Sequence, residues 1–233
     1  CVVFGGNGYA NMATSAALLA ATGSLTVEMW VRIDTLPAFG FHGSLFARGV
    51  ISSASHGGLL FIESNKKLLY CGAFRSSGST SYLARKLYST ADLAPGVWTH
   101  VALVRDAANL TLQWYINGVR DSSLVLTGTQ APALHHAGKD YAGRLGASGA
   151  GADLLQGAIA EVRIWNAVRT AEELTANART RITGTEPNLI AYWPLSENAG
   201  STFGDRITGA VGSLTNTTWD SVRDDAGLKE PAP

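Results

Sequence analysis

The chain has 233 residues, 46% of them hydrophobic and 15% charged, and its 18 basic and 18 acidic side chains cancel. That length buries a sizeable core in one large domain. Zero net charge, with Lys and Arg scattered singly, excludes long-range attraction to nucleic acid or an anionic membrane. No apolar stretch approaches the roughly 20 residues of a membrane-spanning helix, so no membrane insertion is expected. No signal peptide is visible, and a start at Cys1 inside an apparent strand implies a processed or trimmed product. Cys1 and Cys71 could make one bridge, with free thiols the favoured reading, and no His/Cys cluster has zinc-site spacing.

Strand signals begin with "VVF" at 2–4 and recur at short intervals. In "SLTVEMWVRI" (24–33), Val27, Met29, Val31 and Ile33 alternate with Thr26, Glu28, Trp30 and Arg32. "LPAFGFHGS" (36–44) reads as a Pro/Gly loop carrying Phe39, Phe41 and His42, either core plugs or an exposed apolar anchor. "GLLFIE" (58–63), "KLLYCGAF" (67–74) and "SYLARKLY" (81–88) follow as strands. "VWTHVALVRD" (97–106) and "NLTLQWYING" (109–118) alternate cleanly. Asn117-Gly118 marks a hairpin, because both residues tolerate the positive φ of a tight turn.

The segment 127–153 is the longest irregular stretch, with His135, His136, Lys139, Asp140, Tyr141 and Arg144 within ten residues. One carboxylate, one aromatic platform and several donors suit a monosaccharide pocket, and a solvated loop without ligand is the competing reading. "AGRLGAS" (142–148) and "GAIAEVRIWN" (157–166) are strands, the latter placing Ile159, Glu161, Arg163 and Trp165 on one face. Thr170 with Glu173 three residues later predicts a capped helix on "TAEELTANART". "NLIAYWPL" (188–195) and "GSLTNTTW" (212–219) complete the strands. Many strands and one short helix predict an all-β, two-sheet antiparallel β-sandwich of jelly-roll type. The expected organisation is a single domain over 1–223 and a frayed tail over 224–233.

The pieces "VVFGGNGYANM", "SLTVEMWVRI", "WTHVALVRD", "LQWYINGV", "GAIAEVRIWNAVRTAEEL" and "LIAYWPLSENAGSTFGD" together resemble the laminin-G-like, concanavalin-A-like jelly-roll superfamily. The resemblance implies two facing sheets, one concave, with first and last strands adjacent. It also implies that "AYWPLSENAGSTFGD" returns beside "VVF" to close the sandwich. The superfamily includes lectins, pentraxins, adhesion modules and glycoside hydrolases, and fold alone does not separate them.

Its hydrolases carry carboxylates alternating on one strand, and nothing here matches that pattern. Glu28 and Glu161 could form a dyad across neighbouring strands, but Arg32 and Arg163 would lower their pKa values, the wrong direction for a general acid. Many relatives bind calcium, yet family-like sequences often carry Asp where this chain has Gly5, Gly8 and Ala160. Asp205 keeps its acid, and Asp140, Asp153 and Glu63 could build a Ca2+ site elsewhere. No cofactor is therefore expected. The face with Glu28, Trp30, Arg32, Glu161, Arg163 and Trp165 reads first as a covered ladder of ion pairs and aromatics. The alternative is the floor of a sugar groove.

The leading expectation is a non-enzymatic glycan-binding protein, lectin-like and extracellular by family habit. Its candidate ligand-binding residues are His135, His136, Asp140, Tyr141, Arg144, Phe41 and His42. Weak single sites gain from multivalency, so a homo-oligomer built from sheet edges fits this reading. An adhesion or protein-interaction module is the alternative, and a glycoside hydrolase the third reading.

Overall fold

The computed structural model describes residues 1–13, 23–47, 58–75, 82–126, 143–149 and 151–220. Among them are fourteen antiparallel strands and one helix. The strands are β1 (Val2–Asn11), β2 (Leu25–Thr35), β3 (His42–Ala47), β4 (Leu59–Glu63), β5 (Leu68–Arg75), β6 (Tyr82–Tyr88) and β7 (Thr99–Asp106). They continue as β8 (Thr111–Ile116), β9 (Val119–Val125), β10 (Arg144–Leu145), β11 (Gln156–Trp165), β12 (Leu189–Trp193), β13 (Thr202–Gly204) and β14 (Val211–Trp219). Helix α1 (Ala171–Ala178) lies between β11 and β12.

The ladder order β6-β5-β4-β3-β10-β1-β11-β2-β7-β8-β9 folds over at β1. Val2, Val3 and Phe4 pair with Ile159, Ala158 and Gly157 of β11, while Ala10 and Asn11 pair with Leu145 and Arg144 of β10. On its other edge β1 pairs with β14 along both halves, and the register shifts between Phe4 and Tyr9. Gly8 sits inside this shift, where an added Cβ would lie 2.1 Å from the Asn216 carbonyl oxygen. The missing family aspartate at this position therefore has a steric reason: the backbone of β14 occupies the space.

First and last strands are adjacent, as the resemblance implies. The "AYWPLSENAGSTFGD" piece takes a different course from the expected one. Its first strand, β12, pairs with β11, its second, β13, pairs with β14, and β14 is the strand beside β1. Asn117 and Gly118, at φ 51° and 80°, make the expected hairpin turn and lead into β9. Three strands were hidden from sequence patterning: β3 begins inside the Pro/Gly-rich 36–44 stretch, β9 has an exposed, polar sequence, and β13 is only three residues long.

Val27, Met29, Val31 and Ile33 of β2, Leu45 of β3, Ile62 of β4, Leu112 and Trp114 of β8 and Trp193 of β12 join one buried apolar cluster fed by both layers. The outermost strands are stitched across the sandwich. Asp121 of β9 accepts hydrogen bonds from the Thr90 and Ala91 amides, and the Ser122 hydroxyl donates to the Tyr88 carbonyl. Cys1 and Cys71 form no disulfide and are buried in separate clusters.

α1 covers the outer face of the β2/β7/β11 layer. Leu174 packs on Ala102, Val104 and Tyr115, and the Trp30 indole N–H donates to the Ala178 carbonyl at 2.6 Å. The helix starts in the predicted capping box: Thr170 Oγ1 accepts from the Glu173 amide, and Glu173 accepts from the Thr170 amide. An eight-residue helix has little intrinsic stability. T170A is therefore expected to cost about 1 kcal/mol in urea unfolding, and a wild-type midpoint would contradict this role.

Candidate functional site

The strand that carries Glu161 does not keep strict alternation. Ala160 pairs with Trp30 and Arg163 with Glu28, so two residues of β11 face one of β2, a β-bulge. Glu161 takes a positive φ of 54° there. Ile159, Val162 and Ile164 point into the core, while Ala158 and Ala160 pack on the outer side with Trp30. The expectation that Ile159 shares a face with Glu161 is thus corrected: the bulge turns Glu161 to the outer side with Arg163 and Trp165.

That outer face is closed. Glu28, His100, Glu161, Arg163 and Trp165 are each at most 1% exposed. Arg163 donates to Glu161 Oε2 at 2.9 Å, to the Asn177 carbonyl in the last turn of the helix and to the Thr180 carbonyl just beyond it. Glu28 lies 3.8 Å from Arg163 and 3.1 Å from His100 Nε2, and accepts the Trp165 indole N–H at 2.9 Å. Tyr192 donates its hydroxyl to Glu161 at 2.7 Å. Burial alone would push the Glu28 carboxyl up, but His100, Arg163 and Trp165 together hold it below the ordinary carboxylate value. Burial and the adjacent Glu161 push the Tyr192 phenol well above its ordinary value. Arg32 forms its ion pair with Asp34 at 2.6 Å rather than with Glu28.

This is the covered ladder of ion pairs and aromatics. The sugar-groove reading of the face fails because no ligand reaches it. For the same reason Glu28 and Glu161 do not form a glycosidase pair, since that chemistry needs a substrate between the carboxylates.

Four of the predicted site residues, His135, His136, Asp140 and Tyr141, lie outside the described residues. Arg144 begins β10, where its Nε donates to Asn11 Oδ1 at 2.9 Å and its Nη1 to the Gly149 carbonyl at 3.2 Å. Its guanidinium also lies 4.6 Å from the Tyr9 ring centre. These contacts hold the turn after β10 against β1.

Phe41 and His42 stand at the open end of the sandwich. The Phe41 amide closes a turn onto the Ala38 carbonyl, with Gly40 at φ 83°. The turn holds Phe39 and Phe41 outward, 95% and 67% exposed. They are not core plugs. His42 opens β3 directly opposite Glu63 of β4. Its Nε2 lies 3.2 Å from Glu63 Oε1, its Nδ1 3.6 Å from Asp153 Oδ1, and its ring 5.0 Å from that of Phe61. Asp153 arrives from the β10–β11 connection in a left-handed conformation, φ 54°, and its carbonyl accepts from the Ser44 amide.

Glu63 and Asp153, weighed in the sequence only as stray calcium ligands, therefore meet at one imidazole. The cross-strand position of Glu63 could have been found from the strand pattern, but β3 was read as loop. Among the described residues no group of three or more His, Cys, Asp or Glu side chains could hold a metal ion. The segment thus offers two exposed aromatic side chains in the turn before β3 and, where that strand opens, two partly exposed carboxylates at one imidazole.

Several solved structures share this architecture. One, from Bacteroides ovatus, bears the name of a carbohydrate-binding protein by inference. It is 18% identical with a TM-score of 0.70, over 93% of this chain and 58% of that one. The chain thus spans little more than half of that protein. The CBM40 module of Ruminococcus gnavus IT-sialidase, solved with alpha2,3 sialyllactose bound, is 21% identical with a TM-score of 0.60, over 76% of this chain and 94% of that one. The heptameric SAP-like pentraxin of Limulus polyphemus is 16% identical with a TM-score of 0.51, over 92% of this chain and 94% of that one. No curated protein sequence matches the chain. The profile of one family matches residues 4–175, most of the β-sandwich just described. The chain belongs to the concanavalin A-like lectin/glucanases superfamily.

Proposed function

We propose that this chain is a non-catalytic glycan-binding module whose ligand docks at the rim formed by Phe41, His42, Glu63 and Asp153. The observation that carries this reading is an exposed Phe41 one residue before His42, whose imidazole meets two partly exposed carboxylates. An aromatic face stacks on the C–H side of a pyranose. Ionised carboxylates accept hydrogen bonds from its hydroxyls, which are stronger than neutral ones. Similar structures named for carbohydrate binding support the same direction. The proposal extends to an extracellular setting and to presentation in several copies, since a shallow rim site binds weakly alone.

A glycan array read with calcium and with EDTA tests this. The expected result is one narrow set of sugars bound in both conditions, with F41A and E63Q each weakening binding about tenfold or more. Phe41 is on the surface, so F41A should stay within about 0.5 kcal/mol of wild-type stability. Binding that needs calcium would contradict the metal-free rim. The second reading, a protein-interaction module, draws on the outward Phe39 and Phe41 pair. It gains if the array is silent.

A further inference from the structure

A second concavity lies on the other layer, away from the rim. It is a cleft of about 290 Å³ between the chain leaving α1, the end of β12 and the turn after β13. Arg181, Thr183, Tyr192, Pro194, Ser196 and Arg206 line it. Beneath two of these lining residues the buried Glu161 is out of reach: its Oε1 lies 3.5 Å from Arg181 Nε, and its Oε2 accepts the Tyr192 hydroxyl.

The polar groups around the cleft are unevenly committed. Asp205 Oδ1 accepts from the Tyr192 and Ile207 amides, and its Oδ2 accepts from the Thr208 hydroxyl. Glu186 Oε1 accepts from the amide and hydroxyl of Thr183, and its Oε2 from the Gly184 amide. Glu161 is shared among Arg163, Arg181 and Tyr192. Asp205 and Glu186 are thus occupied by internal donors on both oxygens, while Glu161 Oε1 has the Arg181 ion pair but no hydrogen bond. Arg206 anchors its backbone amide on the Tyr192 carbonyl at 2.8 Å, yet its guanidinium has no ion pair or hydrogen bond among the described residues. The Ser196 hydroxyl likewise has no such partner. The cleft therefore has donors to offer, and its acids are already taken.

We infer that this cleft binds the acidic group of a small sugar, a carboxylate or a sulfate ester, on the Arg206 guanidinium, with Ser196 donating alongside. A guanidinium presents a planar fork that matches both oxyanions, and the ring of an acidic hexose would fill the cleft above Tyr192 and Pro194. The site is separate from the Phe41 rim, so neither proposal requires the other.

The test is a titration of the full chain followed by NMR of the Arg206 Nε–H and the Ser196 amide. Sodium glucuronate, glucose 6-sulfate and glucose serve as probes at constant ionic strength. One or both acids should shift these signals saturably and glucose should not, and which acid binds more tightly identifies the oxyanion. R206Q should weaken that binding at least about tenfold, and R206K, which keeps charge without the fork, should fall between. Equal shifts with glucose, no shift with either acid, or unchanged acid binding by R206Q and R206K would each overturn the inference. Array binding lost in E63Q but kept in R206Q would leave the rim proposal standing. The reverse would leave only the cleft.

Discussion

Replacing Arg163 with alanine is expected to remove about 3–5 kcal/mol of unfolding free energy, because it leaves two carboxylates buried without their shared cation. Glu28 and Glu161 are both essentially inaccessible, and Arg163 is the guanidinium that touches both. It also caps the carbonyls of Asn177 and Thr180, so its loss loosens the cover on this layer. The pH dependence carries the same signature. The Glu28 carboxyl lies below its ordinary value of 4.5 in the folded chain. A lowered folded value means stability that is complete above the unfolded value and lost as pH falls through the folded one. In R163A that carboxyl rises, so the acid limb of the stability curve should begin at higher pH. Urea midpoints for wild type and R163A from about pH 7 down to pH 3 check both statements. Identical midpoints would show that Arg163 is not the shared counter-charge of Glu28 and Glu161.

Trp114 is the second position where one substitution should be severe. Its side chain is wholly buried between the layers, and its indole N–H donates to the Leu87 carbonyl at 3.0 Å. Because Trp114 belongs to β8 and Leu87 to β6, this contact ties the two outermost regions of the sandwich together. W114A is expected to cost about 3–5 kcal/mol, from lost burial and the cavity left behind. W114F should isolate the polar part and cost about 1 kcal/mol. If both variants lost the same amount, the cavity would not be the main cause.

Legibility in the sequence followed how local the determining physics was. Thr170 and Glu173 satisfy each other within one helical turn, so the cap could be read directly, as could the Asn117-Gly118 hairpin. The alternating faces of β2 were equally plain, because burial on the core side and cover by α1 on the other each act on every second residue. The bulge at Glu161 was not legible. Its cause is a mismatch of register with β2, which leaves no mark in residue type, since a glutamate rarely adopts positive φ. β3 was missed because Pro37 and Gly40 belong to the turn before it and masked the short strand behind. With β3 unseen, nothing in the sequence could bring Glu63 to His42, nor Asp153 from more than a hundred residues away. Arg206 was passed over for a similar reason. Its significance lies in which neighbouring acids are already engaged, and that is a property of packing.

The double allegiance of β1 sets the order in which the molecule can be completed. Val2–Phe4 wait for residues 157–159 and again for 217–219 before either edge is filled. A ribosome therefore releases this strand more than 150 residues before its partners on β11, and the apolar Val2, Val3 and Phe4 stay unpaired over that interval. Contacts spanning so much of the chain slow folding, because the entropy of closing the loop is lost before the pairing is gained. During that interval the two unfilled edges are the part of the nascent chain most open to pairing with another copy, and the part a chaperone has most reason to shield.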